Sequence, residues 1–312
     1  MNEVLEKTDP VVRHSLLVIL ERYRSKRNTS HQQSGTQQPR QIANSEIRNP
    51  FQIEATRKLT MSNDIERALS KNEFEMYYQP ICQLPARTVN GYEALIRWNH
   101  PARGLVSPLD FLHLAEQTGQ IREIGLWTLE HACRDWSTLR KYSNSSLPFI
   151  SVNMSPSQLT SDSLVENIKL ILTHYDILPT ELKLELTETV IINKPDIALR
   201  LLNKITDLGC TLAIDDFGTG HSSLETLNRY PIGTMKIDRS LTNTMLTSAH
   251  SREIVNSSIQ LAHSMNMDVV AEGIETETEL STLIELGCDF GQGWLLGKPS
   301  RLIGIPELQR IV

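Results

Sequence analysis

Leu182-Lys183-Leu184-Glu185-Leu186-Thr187, a helical pattern over 195–208, and Thr211-Leu212-Ala213-Ile214-Asp215-Asp216 form a strand–helix–strand unit, and its rhythm decides the fold. The same alternation continues on both sides. Further strand patterns fall at 75–83, 90–98, 148–153, 233–238, 268–272 and 289–295. Helical patterns fall at 108–117, 124–141, 155–175, 222–229, 250–266 and 276–286. Eight strands with intervening helices, over roughly 250 residues, have the size of an α/β fold of the (β/α)8 TIM barrel type. The connection over 84–90 is too short for a crossover helix, so the first two strands read as an antiparallel hairpin and the barrel as a variant. An open doubly wound sheet is the alternative, but no GxGxxG follows the first strand.

The chain has 312 residues and a net charge of −6, from 31 basic and 37 acidic side chains. No Lys/Arg run offers the basic face that a duplex-coating protein needs, and the best candidate, 22–27, reads as a solvated helix end. A small phosphate ligand held by metal ions is compatible with an acidic protein. Cys82, Cys133, Cys210 and Cys288 have no metal-knuckle spacing and read as buried thiols of a reducing cytoplasm. No apolar run approaches the roughly 18 residues that cross a bilayer, and the run at 16–20 is too short for a signal peptide. The expectation is a soluble, cytoplasmic protein with no membrane contact. Residues 1–61 stand apart, with an amphipathic stretch at 10–24 that reads as a helix. A Gln/Ser/Thr/Asn-rich stretch at 28–45 reads as a partly disordered linker. The expected organisation is this segment of unreadable function, where a regulatory partner would act, followed by a barrel over 62–312.

Polar residues recur where strands end: Glu93, Asn153, Glu185, Asp215 with Asp216, Lys236, Glu272 and Gln292. In a (β/α)8 barrel these ends converge on the rim that carries the active site. Five carboxylates cannot stand close together ionised without cations. All-oxygen ligands with no nearby Cys or His pair point to Mg²⁺ or Mn²⁺ rather than zinc. The adjacent Asp215 and Asp216 can serve two ions, which together clamp the attacking and leaving oxygens of a phosphoryl displacement. Each residue also has a bland reading. A lone strand Glu is usually solvent-facing, Asp215-Asp216 could end a strand in a turn, Lys236 and Asp238 could be an ion pair, and Asn153 and Gln292 could be satisfied core amides. Their joint occurrence at successive strand ends argues against it. His100, His113 and His131 show no HxH or HExxH spacing and read as packing or surface residues.

Ordered motifs complete the picture. Tyr78-Gln79-Pro80 precedes Glu93-Ala94-Leu95-Ile96-Arg97, and Asn99-His100-Pro101 follows. Next come Ser151-Val152-Asn153-Met154-Ser155, Glu185-Leu186-Thr187-Glu188 and Asp215-Asp216-Phe217-Gly218-Thr219-Gly220. Lys236-Ile237-Asp238, Ala271-Glu272-Gly273 and Asp289-Phe290-Gly291-Gln292-Gly293 close the series. From Ser62 to Pro299 the chain resembles the EAL-domain cyclic di-GMP phosphodiesterases.

The resemblance implies that Glu93, Asn153, Glu185 and Asp215 bind one ion and that Asp215 and Asp216 bind a second, with Glu272 as a ligand or water-orienting base. It implies that Lys236 positions the attacking water, and that Glu188 anchors the loop after the fifth strand. Gln79, Leu95, Arg97, Asp238 and Gln292 become substrate contacts, and cleavage of cyclic di-GMP would give linear pGpG. A homodimer is also implied. Departures are few: His221 and Trp294 stand where tyrosine is frequent, and Gln117 where a second acid is common. The competing reading is a catalytically silent cyclic di-GMP receptor acting through protein partners, which typically lacks a metal ligand. Here each ligand position is filled.

Overall fold

The computed structural model describes residues 50–143, 145–187, 195–218 and 224–305. β1 (Phe74–Gln83) and β2 (Thr88–His100) form a long antiparallel hairpin, and the short β3 (Gly104–Val106) folds back on the end of β2. From β2 the sheet runs parallel through β4 (Phe149–Met154), β5 (Leu182–Thr187), β6 (Thr211–Phe217), β7 (Thr234–Ile237), β8 (Asp268–Ala271) and β9 (Phe290–Gly291). β9 then pairs antiparallel with β1 and closes the barrel. The variant α/β barrel with a reversed first strand is therefore the fold, because the 84–90 connection permits only a hairpin.

The helices are α1 (Pro50–Lys71), α2 (Pro108–Thr118), α3 (Ile121–Leu139), α4 (Ser163–His174), α5 (Pro195–Asp207), α6 (Leu224–Arg229), α7 (Arg239–Thr244), α8 (Ala249–Ser264) and α9 (Glu277–Glu285). In α5, Ala198, Leu201, Leu202 and Ile205 fall on one stripe and are buried, which presses that face onto the sheet. In β5, Leu182, Leu184 and Leu186 belong to the main core, while Lys183 and Glu185 alternate with them on the opposite face, inside the barrel.

Several sequence expectations need correcting. The strand expected at 289–295 contracts to Phe290–Gly291, because Gly293 lies so close to Ile274 that its backbone leaves the ladder; a Cβ there would stand 2.1 Å from the Ile274 carbonyl. The helix expected at 155–175 is interrupted. Ser155 caps a 3-10 turn at Pro156–Gln158, and α4 starts only at Ser163. β3, α7 and α1 were not foreseen. α1 runs from Pro50 to Lys71 and buries Met61, Ile65 and Ala68. Its Asp64 takes Arg67 at 2.6 Å and the buried His100 at 3.2 Å. The expected helix at 10–24 and linker at 28–45 lie outside the described residues. Compared with a chain starting at residue 50, one starting at residue 72 loses the Ile65/Ala68 cover and leaves His100 without Asp64, so its melting temperature should be lower by several degrees or more, read by circular dichroism.

Inside the barrel, below the polar rim, Ile81, Phe149 and Val270 form a small core with Phe290. Gly91 sits beside Phe149, where a Cβ would meet its ring at 2.9 Å. Lys183 is buried in the same interior with Nζ 4.0 Å from the Phe149 ring centre. Burial lowers its pKa to about 8, against the pull of Asp268. Its folded pKa is below the unfolded value of 10.5, so the charged form costs stability below pH 8 and that cost is relieved as pH rises toward 10.5. Lys183→Met should therefore raise stability at pH 7 by roughly 2–3 kcal/mol. The gain should shrink in melts at pH 9.5; an equal gain at both pH values would refute the assignment.

Candidate active site

The rim at the carboxyl ends of the parallel strands gathers the polar residues around one ammonium. Lys236 Nζ, on β7, lies 2.6 Å from Glu272 Oε1, 2.8 Å from Glu185 Oε2, 3.4 Å from Asp215 Oδ1 and 3.7 Å from Glu93 Oε2. Glu93 is held from both sides: Asn153 Nδ2 donates to Oε1 at 2.7 Å and Gln292 Nε2 donates to Oε2 at 2.6 Å. Gln292 Nε2 also donates to Gln79 Oε1 at 2.9 Å, and Gln79 Nε2 donates to the Gly297 carbonyl at 3.0 Å. Strand register explains the convergence. Glu93 pairs across from Gln79 and Asn153 pairs across from Glu185, so each side chain enters the barrel beside its neighbour's.

Two successive aspartates on a regular strand would face opposite ways. Here the register of β6 against β7 shifts after Ile214, and Asp216 takes φ +58°, a left-handed conformation that Asp tolerates better than most residues. Both aspartates consequently turn toward Glu272, and one oxygen of each of the three lies within 4.8 Å of the others. Gly218 completes the turn at φ +97°, with Leu241 packed where its Cβ would be.

Burial works against the Lys236 charge, but Asp215, Glu185, Glu272 and Glu93 outweigh it and hold the ammonium well above its ordinary range. Burial pushes the Glu185 carboxyl well up, with Glu93 and Asp215 adding to the effect over the opposing pull of Lys236. Glu272 rises to about 7 through burial and the Asp215 charge, against Lys236. Burial and Asp215 also raise Asp216. Glu93 goes the other way: burial is outweighed by Lys236 and by the amides of Gln292 and Asn153. One ammonium thus faces more negative charge than it can balance.

Glu185 Oε1 and Gln292 Oε1 are buried and accept no hydrogen bond among the described residues. An orphaned carboxylate oxygen beside three clustered acidic side chains fits a hard divalent cation, whose charge and coordination would satisfy it. The ion pair of Lys236 with Asp238 weighed in the sequence reading does not form. Asp238 instead caps α7, accepting from Ser240 N at 2.9 Å. Leu95 and Arg97 follow Glu93 up β2, both half-buried, and Arg97 donates to the Ile96 carbonyl at 2.9 Å. Glu188 lies outside the described residues. Lys183 escaped the sequence reading, although its spacing two before Glu185 on a strand already placed it on the inward face.

Residues 62–299 match the family described as the EAL domain. This chain belongs to the EAL domain family. Among similar proteins of Pseudomonas aeruginosa, the bifunctional diguanylate cyclase/cyclic di-GMP phosphodiesterase MucR is 38% identical over 256 residues, covering 78% of this chain and 36% of MucR. The cyclic di-GMP phosphodiesterase RocR is 37% identical over 251 residues, covering 80% of this chain and 63% of RocR. The chain thus spans less than two thirds of either relative. A solved PaMucR phosphodiesterase in complex with c-di-GMP superposes with a TM-score of 0.73 at 37% identity, covering 78% of this chain and 98% of that one. The EAL domain here is the barrel with its rim of acids. No helix among the described residues is long and apolar enough to cross a membrane, and all four cysteines are free and buried.

Proposed function

We propose that this EAL domain hydrolyses cyclic di-GMP to linear pGpG by in-line attack of water at a site for two divalent ions, Mg²⁺ or Mn²⁺. The observation that carries the reading is the buried acidic cluster around Lys236 with the donorless Glu185 oxygen. The names of MucR and RocR and the c-di-GMP bound in PaMucR support the choice of substrate. Glu93, Asn153, Glu185 and Asp215 would hold one ion and Asp215 with Asp216 the other, Glu272 being a ligand or the base that orients water. Ions held there would supply an acidified water and a counter-charge for the phosphodiester.

The chain's own residues do the positioning. Lys236 offers its ammonium to charge that builds on the phosphate oxygens, and its carboxylate ring fixes where that ammonium stands. Glu272, 2.6 Å from Lys236 and within the acidic trio, is placed to orient water or accept its proton. The Gln79–Gln292–Glu93 chain fixes the wall beside the cleavage point. Leu95, Arg97 and Asp238 complete the substrate contacts. A homodimer and regulation through residues 1–61 belong to the same reading.

The test is incubation with cyclic di-GMP and Mg²⁺ or Mn²⁺, followed by chromatography for pGpG. Product should appear, vanish with EDTA, and fall on the order of 10²–10³-fold or more in Glu93→Ala. Tight nucleotide binding without product would favour the silent receptor.

A further inference from the structure

The hairpin that carries Gln79 and Glu93 continues past the barrel. Its register pairs Tyr77 with Leu95 and Glu75 with Arg97, so these side chains extend the Gln79/Glu93 face beyond the rim. Along the other edge of β1 the chain returns after β9. Tyr78 N donates to the Ser300 carbonyl at 2.8 Å and Ser300 N to the Tyr78 carbonyl at 3.0 Å, which sets Arg301 beside Tyr77. The Arg301 guanidinium lies 5.8 Å from the Tyr77 ring centre and 2.6 Å from Glu75 Oε2. The Arg97 guanidinium lies 5.7 Å from the same ring centre.

A half-buried tyrosine flanked by two guanidiniums, with a carboxylate alongside, adds little to the barrel's core. Arg301 is exposed, and Glu75 is only partly covered. The set does match a guanine. A guanidinium can donate to O6 and N7, a carboxylate can accept from N1–H and the exocyclic amine, and an aromatic ring offers a stacking surface. A phosphate fits less well, because Glu75 would repel it. We propose that Glu75, Tyr77 and Arg301 bind the guanine of the nucleotide half remote from the phosphodiester being cut. The proposal rests on the cyclic di-GMP reading above. Its role is uniform binding: contacts to the remote half hold the nucleotide equally in the ground and transition states and so lower KM.

Calorimetry of the full chain with cyclic di-GMP in Ca²⁺ should show Arg301→Ala weakening binding roughly tenfold, the scale of one charged hydrogen bond. Glu75→Gln should narrow the preference for cyclic di-GMP over cyclic di-AMP, whose base lacks O6 and N1–H. In Mn²⁺, kcat/KM for cyclic di-GMP should fall through KM in both variants, while cleavage of bis(p-nitrophenyl) phosphate, which has no base, stays at the wild-type rate. Unchanged binding would overturn the proposal, and so would equal losses on both phosphodiesters. A wild type that binds without cutting counts against the hydrolase reading alone, and the binding comparison still decides the guanine site.

Discussion

Asp215→Ala should reduce cyclic di-GMP turnover by on the order of 10³-fold or more while the protein stays folded. Asp215 and Glu272 both belong to the ring around Lys236 and to the acidic trio, and in the proposed assignment Asp215 is the carboxylate that would serve both ions. It stands 3.4 Å from Lys236 and, with Asp216 and Glu272, belongs to the trio whose oxygens lie within 4.8 Å. Its backbone role is modest, since the hydrogen bond it accepts from Asp216 N, at 3.0 Å, joins neighbours already placed by the strand. Removing it also removes negative charge from a cluster that has too much, so the metal-free melting temperature should hold or rise. Activity and stability therefore move apart, the pattern expected where a site stores unfavourable charge for function. Normal turnover in this variant would sink the shared-carboxylate model. A collapse in melting temperature would show that the loss of activity is a loss of fold.

Lys236→Met should be the most damaging single change to the metal-free protein. The side chain is 1% exposed and its ammonium contacts carboxylates of β2, β5 and β6 and that of Glu272, just past the end of β8. Methionine fills the space but leaves Glu185, also 1% exposed, without its 2.8 Å partner. Breaking a buried ion pair from one side costs about 3–5 kcal/mol, a large share of a domain's stability. Melting in EDTA should show that loss. Added Mn²⁺ should restore part of it, because divalent cations can replace the missing charge, yet turnover should stay low because the ammonium over the phosphate is gone. A variant that melts like the wild type in EDTA would mean that the carboxylates take up protons instead.

The barrel was legible because its cause is local. Alternation along Leu182–Thr187 and the apolar stripe of α5 are set by which residues each element must bury, and a short loop over 84–90 can only return antiparallel. α1 was not legible, because its second half is held by what Met61, Ile65, Ala68 and Asp64 meet elsewhere in the fold. The end of β9 was misjudged because Gly291-Gln292-Gly293 reads as strand continuation until Ile274 occupies the space beside Gly293. The residue types at strand ends singled out Glu93, Asn153, Glu185, Asp215, Asp216, Lys236, Glu272 and Gln292, and the fold gathers these side chains at one rim.

Their mutual geometry was not in the residue types. The left-handed turn at Asp216 that brings two neighbours to one cluster depends on the register shift against β7. The assignment of Asp238 to a helix cap depends on where α7 begins. Arg301 reaches Tyr77 only because the chain after β9 pairs with β1, more than 200 residues earlier. Sequence alone determined the eight barrel strands, most of the helices between them, their order and the acids near their ends, since burial and turn chemistry act within a few residues. Tertiary structure alone decided which acids share Lys236, which oxygen is left without a donor and which surface extends the site, since those depend on barrel closure and on charges brought together from distant strands.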